Sequence, residues 1–205
     1  APVANCPTPN ASYNADAGQC DATLSFAASP TDNCGVASTE YSVGGSPITF
    51  PYDFPVGSTT VDVLVTDVNS NTDTCSFDVI VLDNQAPVAN CPTPNASYNA
   101  DAGQCDATLS FAASPTDNCG VASTEYSVGG SPITFPYDFP VGSTTVDVLV
   151  TDVNSNTDTC SFDVIVLDNQ APVANCPTPN ASYNADAGQC DATLSFAASP
   201  TDNCG

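Results

Sequence analysis

The feature that most constrains this chain is that its sequence repeats without error every 85 residues. Ala1-Pro2-Val3-Ala4-Asn5-Cys6-Pro7 returns at Ala86 and again at Ala171, and every position that can be aligned is identical. The 205 residues hold two full copies, 1–85 and 86–170, and a partial third copy, 171–205. A unit of this length fits a small sandwich domain and exceeds most solenoid repeats, so domains strung in line are expected. Such identity points to a recently duplicated array or to a consensus over equivalent units of a polymer. The third copy stops at Asp202-Asn203-Cys204-Gly205, mid-repeat, and no segment reads as a signal peptide. A mature or excised section of something longer is the expectation.

Within one copy the apolar residues alternate with period two. Ala22, Leu24 and Phe26 form one run, Val61, Val63 and Val65 a second, and Phe77, Val79 and Val81 a third. Tyr41 with Val43, and Ile48 with Phe50, mark two shorter strands. Turn chemistry separates them at Pro30-Thr31-Asp32-Asn33, Gly44-Gly45-Ser46-Pro47, Pro55-Val56-Gly57-Ser58 and Asn69-Ser70-Asn71. Hydrophobic residues make up 41% of the chain and charged ones 11%, which places it among folded rather than disordered chains. About seven short strands per copy and no helical periodicity predict an all-β array of tandem immunoglobulin-like β-sandwich domains.

Each full copy has four cysteines, Cys6, Cys20, Cys34 and Cys75 in the first. An even set in a short domain predicts disulfides and an oxidising, extracellular setting. Three pairings are possible. The expected one closes a local loop, Cys20–Cys34, and ties the first strand to the last, Cys6–Cys75. In the chain-entropy model such loops contribute roughly 3 and 4 kcal/mol. The copies repeat this as Cys105–Cys119, Cys91–Cys160 and Cys190–Cys204. With no C-x-x-C pair and no His, zinc is disfavoured.

The chain has 23 acidic residues and no Lys, Arg or His, a formal net charge of -23. Without basic residues it has nothing to displace phosphate counterions, so nucleic acid is excluded as a partner, as are anionic membrane surfaces. No run of about 18 apolar residues offers a membrane span. Catalysis loses its usual proton carriers, and Glu40 is the only glutamate per copy, so no enzyme is expected. Carboxylates crowded without cations favour bound metal, and hard oxygen ligands select Ca2+ among extracellular ions. Candidate ligands are the acidic–amide loop clusters: Asp32 with Asn33, Asp67 with Asn69, Asn71 and Asp73, and Asp83 with Asn84 at the linker. Asp117, Asp152 and Asp168 are their copies. Because sandwich loops alternate between two ends, the Asp32 and Asp67 positions of one copy are expected near a neighbour's linker. The competing reading is that these Asp and Asn residues only build turns.

Three further expectations concern the surface. A hairpin centred on Ser70 sets Asp62 opposite Asp78, which implies either a different register or a cation between them. Leu64, Ile80 and Leu82 fall on the face that meets water, through a register shift or covered edge, or as an interaction patch. Asn10-Ala11-Ser12 is an N-glycosylation sequon, repeated at Asn95 and Asn180, and Thr8 beside proline is an O-glycan candidate.

These residues together resemble the hyalin repeat (HYR) family. The matching stretches are Cys6-Pro7, Gly18-Gln19-Cys20, Asp32-Asn33-Cys34-Gly35 and Phe54-Pro55-Val56-Gly57-Ser58-Thr59-Thr60-Val61. They continue through Thr66-Asp67, Asn71, Cys75-Ser76-Phe77 with Val79 and Val81, and Asp83-Asn84-Gln85-Ala86-Pro87. Ser70 stands where the family usually carries Gly. The resemblance implies immunoglobulin-like domains in tandem on secreted and cell-surface proteins, with a non-enzymatic, adhesive role. The sequence reading is therefore an extracellular filament or stalk of self-associating repeats, calcium-stiffened and glycosylated. The alternative is an adhesion module that binds cell-surface or matrix ligands and does not self-assemble.

Overall fold

The computed structural model describes residues 1–179 and 181–205. Asn180, one of the three sequons, lies outside them. The first copy folds into seven strands: β1 (Tyr13–Asn14), β2 (Asp21–Leu24), β3 (Val36–Val43), β4 (Ser46–Ile48), β5 (Tyr52–Pro55), β6 (Gly57–Asp67) and β7 (Thr72–Leu82). The second copy repeats the set as β8 (Tyr98–Asn99), β9 (Asp106–Leu109), β10 (Val121–Val128), β11 (Ser131–Ile133), β12 (Tyr137–Pro140), β13 (Gly142–Asp152) and β14 (Thr157–Leu167). In each, a five-stranded sheet is built in the order β1-β7-β6-β3-β4, or β8-β14-β13-β10-β11, with a two-stranded sheet, β2-β5 or β9-β12. The first short strand runs parallel to the last, Tyr13 beside Val81, while the other pairs are antiparallel. This is an all-β, immunoglobulin-like sandwich. Among the described residues of 171–205 there is no named strand, only a bridge between Val173 and Thr201.

The alternation in the sequence becomes the two faces of the large sheet. Val61, Val63, Val65, Phe77, Val79 and Val81 are buried, and Ala22 and Phe54 reach them from the small sheet. Phe26 lies among them with edge-to-face contacts to Tyr13, Phe50, Phe54 and Phe77. The Cys6–Cys75 bond staples the N-terminal segment to β7, and Cys91–Cys160 does the same in the second copy.

Of the two readings of Asp62 and Asp78, the structure shows the different register. The β6–β7 hairpin is offset by two residues from one centred on Ser70: Asp62 faces Ser76, and Asp78 faces Thr60. Thr60 Oγ1 donates to Asp78 Oδ1 at 2.6 Å, so this register replaces a like-charge opposition with a hydrogen bond. Asp67 sets it by accepting from the N–H groups of Asn69 and Asn71, both at 2.8 Å, while Ser70 takes the left-handed conformation at φ 66°. Leu64, Ile80 and Leu82 face water as expected, in two places. Ile80 lies opposite Ser58 with Leu82 two residues on, whereas Leu64 lies opposite Thr74. Six residues along β6 separate those positions, about 20 Å at 3.3 Å per residue.

One expectation is corrected: Cys20 is bonded to Cys119, with Cα atoms 4.8 Å apart, and not to Cys34. Cys105 is likewise bonded to Cys204, while Cys34 and Cys190 are free. The reason is strand length. Cys20 O accepts from Val56 N–H, at the Gly57 end of β6. Cys34 precedes Gly35, whose O accepts from Val68 N–H, at the Asp67 end. Eleven residues of β6 hold these loops about 30 Å apart, far beyond the 4.4–6.8 Å between Cα atoms that a disulfide spans.

Contacts divide the chain into two compact units. Unit 1 comprises 1–90 together with 115–124 and 149–159, and unit 2 comprises 91–114, 125–148 and 160–205. Unit 1 thus includes the loop before β10 and the β13–β14 turn, and the Cys20–Cys119 bond lies wholly inside it.

Candidate metal centre

Inside unit 1 three carboxylates converge. Asp83 follows the end of β7, Asp117 lies in the loop before β10, and Asp152 closes β13. Each contributes an oxygen, and these oxygens lie within 4.8 Å of one another. Asp83 is 5% exposed and Asp152 2%, and Asp117 is half-buried.

Local turn chemistry aims each side chain. Asp117 Oδ1 accepts from the N–H groups of Cys119 (2.9 Å) and Gly120 (2.8 Å), which shapes its loop. Asp152 Oδ1 accepts from the N–H groups of Asn154 and Asn156, and its Oδ2 accepts from Asn156 Nδ2 at 2.7 Å. Asp83 Oδ1 accepts from Gln85 N–H (3.1 Å) and Asn118 Nδ2 (3.3 Å). The Asp83 backbone oxygen accepts from Asn156 Nδ2 at 3.2 Å, joining the linker to the β13–β14 turn. After these bonds, the Oδ2 atoms of Asp83 and Asp117 remain buried with no hydrogen-bond partner.

Two orphaned carboxylate oxygens beside a third buried carboxylate are an unusual burden. Burying an unpaired ionised group costs several kcal/mol. The usual remedy is a Lys, Arg or His, and the chain has none. At Asp152, burial pushes the carboxyl up, but the Asn156 side-chain amide and the backbone N–H groups of Asn156, Asn154 and Ser155 outweigh it and hold it below its ordinary value. The three carboxylates have the oxygen-only donor set of a hard divalent cation site. Two oxygens each 2.3–2.6 Å from one ion stand at most about 5 Å apart, so oxygens within 4.8 Å of each other can share it.

The remaining candidates are placed elsewhere. Asp32 and Asp67 lie at the opposite end of β6 from Asp83 and do not meet it. Asp32 Oδ1 shapes its loop by accepting from Cys34 and Gly35 N–H, leaving Oδ2 buried and unpartnered. At Asp67 the Asn71 side-chain amide leads in holding the carboxyl below its ordinary value, opposed by burial and aided by the N–H groups of Asn71 and Asn69. Asn69 and Asn71 serve that turn. Asp73 Oδ2 accepts from Ala4 N–H at 2.9 Å and pins the N-terminal segment. Asn33 Nδ2 contacts Cys34 Sγ, and Asn84 Nδ2 donates to Asn14 Oδ1. In unit 2, Asp168 gathers with Asp202 and Cys204, but Asp168 is exposed and no third carboxylate among the described residues joins them. Asn10, Asn95 and Thr8 are exposed.

Three contributors were not singled out in the sequence: Asn118, Asn156 and Gln85. The first two are the 85-residue copies of Asn33 and Asn71, so the period pointed to them. Gln85 carries no such signal. Its Oε1 accepts from Gly18 N–H at 2.8 Å and its Nε2 donates to Asp16 O, which fastens the linker to the 16–20 loop.

The HYR domain profile matches residues 1–81 and 82–166. Hyalin of Strongylocentrotus purpuratus is 33% identical over 135 residues, covering 60% of this chain and 11% of that protein. Hyalin of Lytechinus variegatus is 32% identical over 156 residues, covering 73% of this chain and 28% of that protein. The chain thus spans about a tenth and a quarter of the length of these relatives. Among solved structures, the insect immune protein hemolin is 13% identical with a TM-score of 0.40, covering 82% of this chain and 47% of that one. With the profile matching well over half of the chain, this chain belongs to the HYR domain family.

Proposed function

We propose that this chain is a section of an extracellular structural filament or adhesive stalk, in which Ca2+ at Asp83, Asp117 and Asp152 stiffens the linker between successive repeats. One observation carries the proposal: three carboxylates converge to within 4.8 Å, two of them keep a buried oxygen without a partner, and the chain is devoid of basic side chains. Oxygen-only ligands and a flexible coordination number suit Ca2+, with water completing the six to eight positions. The four disulfides fit an oxidising compartment. Membership of the HYR family, whose resemblance implies adhesion, supports an adhesive, non-enzymatic role. Identical repeats joined in the same way extend without closing, which favours a homopolymer as the partner. Exposed Asn10, Asn95 and Thr8 are its glycan positions.

Calorimetric titration of the chain with CaCl2, and melting with and without chelator, test the metal. Ca2+ raises the Tm, and Asp83→Asn weakens affinity at least about tenfold, because ligand charge sets affinity in such sites. In chelator the sign reverses: D83N melts higher than wild type, since one of three crowded charges is gone. Absence of Ca2+ binding, or a D83N protein that binds normally, removes the metal from the proposal. Electron microscopy of native material then tests the fibre: filaments lost on chelation support it, and isolated non-associating chains overturn it.

A further inference from the structure

The Cys20–Cys119 disulfide and the three-carboxylate cluster share one loop. Cys119 is two residues from Asp117, whose Oδ1 accepts from Cys119 N–H at 2.9 Å. On the other side of the bond, Gln19 O accepts from Asn118 Nδ2 at 2.8 Å, and the same amide group reaches Asp83 Oδ1 at 3.3 Å. Gln85 closes the circuit, with its N–H on Asp83 Oδ1 and its side chain on Gly18 N–H and Asp16 O. The 16–20 loop, the linker and the 117–119 loop thus form one ring in unit 1, which the disulfide closes covalently.

The charges inside that ring repel. Without a cation, the cluster pushes the Asp117 loop away from Asp83. Besides the disulfide, the loop is held by Asn118 and by the Val88–Thr116 bridge, with N···O distances of 2.8 and 3.0 Å. With a cation bound, the carboxylates draw the same loops together. We propose that the Cys20–Cys119 disulfide is a redox latch on the metal site: its reduction weakens Ca2+ binding, and bound Ca2+ protects it from reduction. This rests on the calcium reading above. Opening the latch takes two electrons and two protons. A dithiol reductant supplies both, leaving thiols at Cys20 and Cys119 and itself ending as a cyclic disulfide. By linkage, the factor by which reduction lowers Ca2+ affinity equals the factor by which Ca2+ favours the disulfide over the dithiol.

Two measurements on the 205-residue chain test this. The first compares Ca2+ affinity by calorimetry for wild type and the C20S/C119S variant, which keeps all three carboxylates. Couplings of this kind run from about 5- to 150-fold, so an affinity loss of about tenfold is expected. The second needs no change at the latch and stands if C20S/C119S fails to fold. In a C105S/C204S background, free thiols are blocked, a graded dithiol is applied with Ca2+ or chelator, and new thiols are counted by a second alkylating reagent at Cys20. About tenfold more reductant is needed with Ca2+, and adding D83N abolishes that difference. If wild type binds no Ca2+, both the metal site and the latch fall. If wild type binds Ca2+ but C20S/C119S binds equally well, or Cys20 reduces identically in Ca2+ and chelator, the latch falls and the metal site stands.

Discussion

Aspartate performs two distinct tasks here, and hydrogen bonding at single residues separates them. Asp67 has both oxygens occupied, by Asn69 N–H, Asn71 N–H and Asn71 Nδ2, so its charge is satisfied within its own turn. Asp83 and Asp117, like Asp32, each keep one buried oxygen without a hydrogen-bond partner, so their charge is not satisfied within their own turns. The first kind is visible in acid. Asp67 has its folded carboxyl held below the ordinary 3.8, so the stability it contributes is present above that value and is lost as pH falls through the lower folded one. In chelator, the Tm advantage of wild type over Asp67→Asn is therefore full at about pH 5 and shrinks toward pH 3. An advantage that stays constant over that range means the hydrogen-bonded charge contributes nothing.

At the scale of the element, the β6–β7 hairpin shows how polar residues choose a register that the apolar ones leave open. Val61, Val63 and Val65 face inward equally well if β7 slides by two, because the side-chain period is two. The observed pairing sets Thr60 against Asp78 and Ser76 against Asp62, keeping the carboxylates apart. Thr60→Asp restores the opposition that this register avoids and costs on the order of 1 kcal/mol. Urea melts of T60D in chelator measure the loss, and Thr60→Ala separates it from loss of the Thr60 hydroxyl bond. Equal stability of T60D and T60A means that charge had no part in choosing the register.

At the scale of the whole molecule, the Cys6–Cys75 disulfide is a matter of stability. Cys6–Cys75 closes 69 residues of separation within one repeat, and the chain-entropy account assigns about 4 kcal/mol to such a loop. A sandwich of this size buries only about 60–65% of its unfolded surface and depends on that help. The C6S/C75S variant is expected to lose about 2–5 kcal/mol, with Ca2+ affinity of the folded chain unchanged, because Cys6 and Cys75 lie outside the 16–20, 83–85 and 117–119 ring. Urea melting and calorimetry on the same sample check both halves. A variant that folds with full stability shows the staple to be redundant.

The sequence by itself determined the strands, their inward faces and the family. Alternation at Val61–Val65 and Phe77–Val81 is a local property of a half-buried strand, and the Cys6–Cys75 staple follows from tying a first segment to a last one. The period also named Asp83, Asp117 and Asp152 among its candidates, since acidic–amide pairs mark the loops. The alternation of sandwich loops also placed the Asp32 and Asp67 positions of one copy near a neighbour's linker, and the contacts themselves came only with the tertiary structure. Cys20 and Cys34 are fourteen positions apart in sequence, yet β6 holds their loops about 30 Å apart, so Cys20 takes Cys119. The same strand separates Asp83 from Asp32 and Asp67, and their copies at 117 and 152 fill the site instead. Identical sequence does not bring identical surroundings: Asp83 is buried and its copy Asp168 is exposed, because burial depends on what packs against a residue.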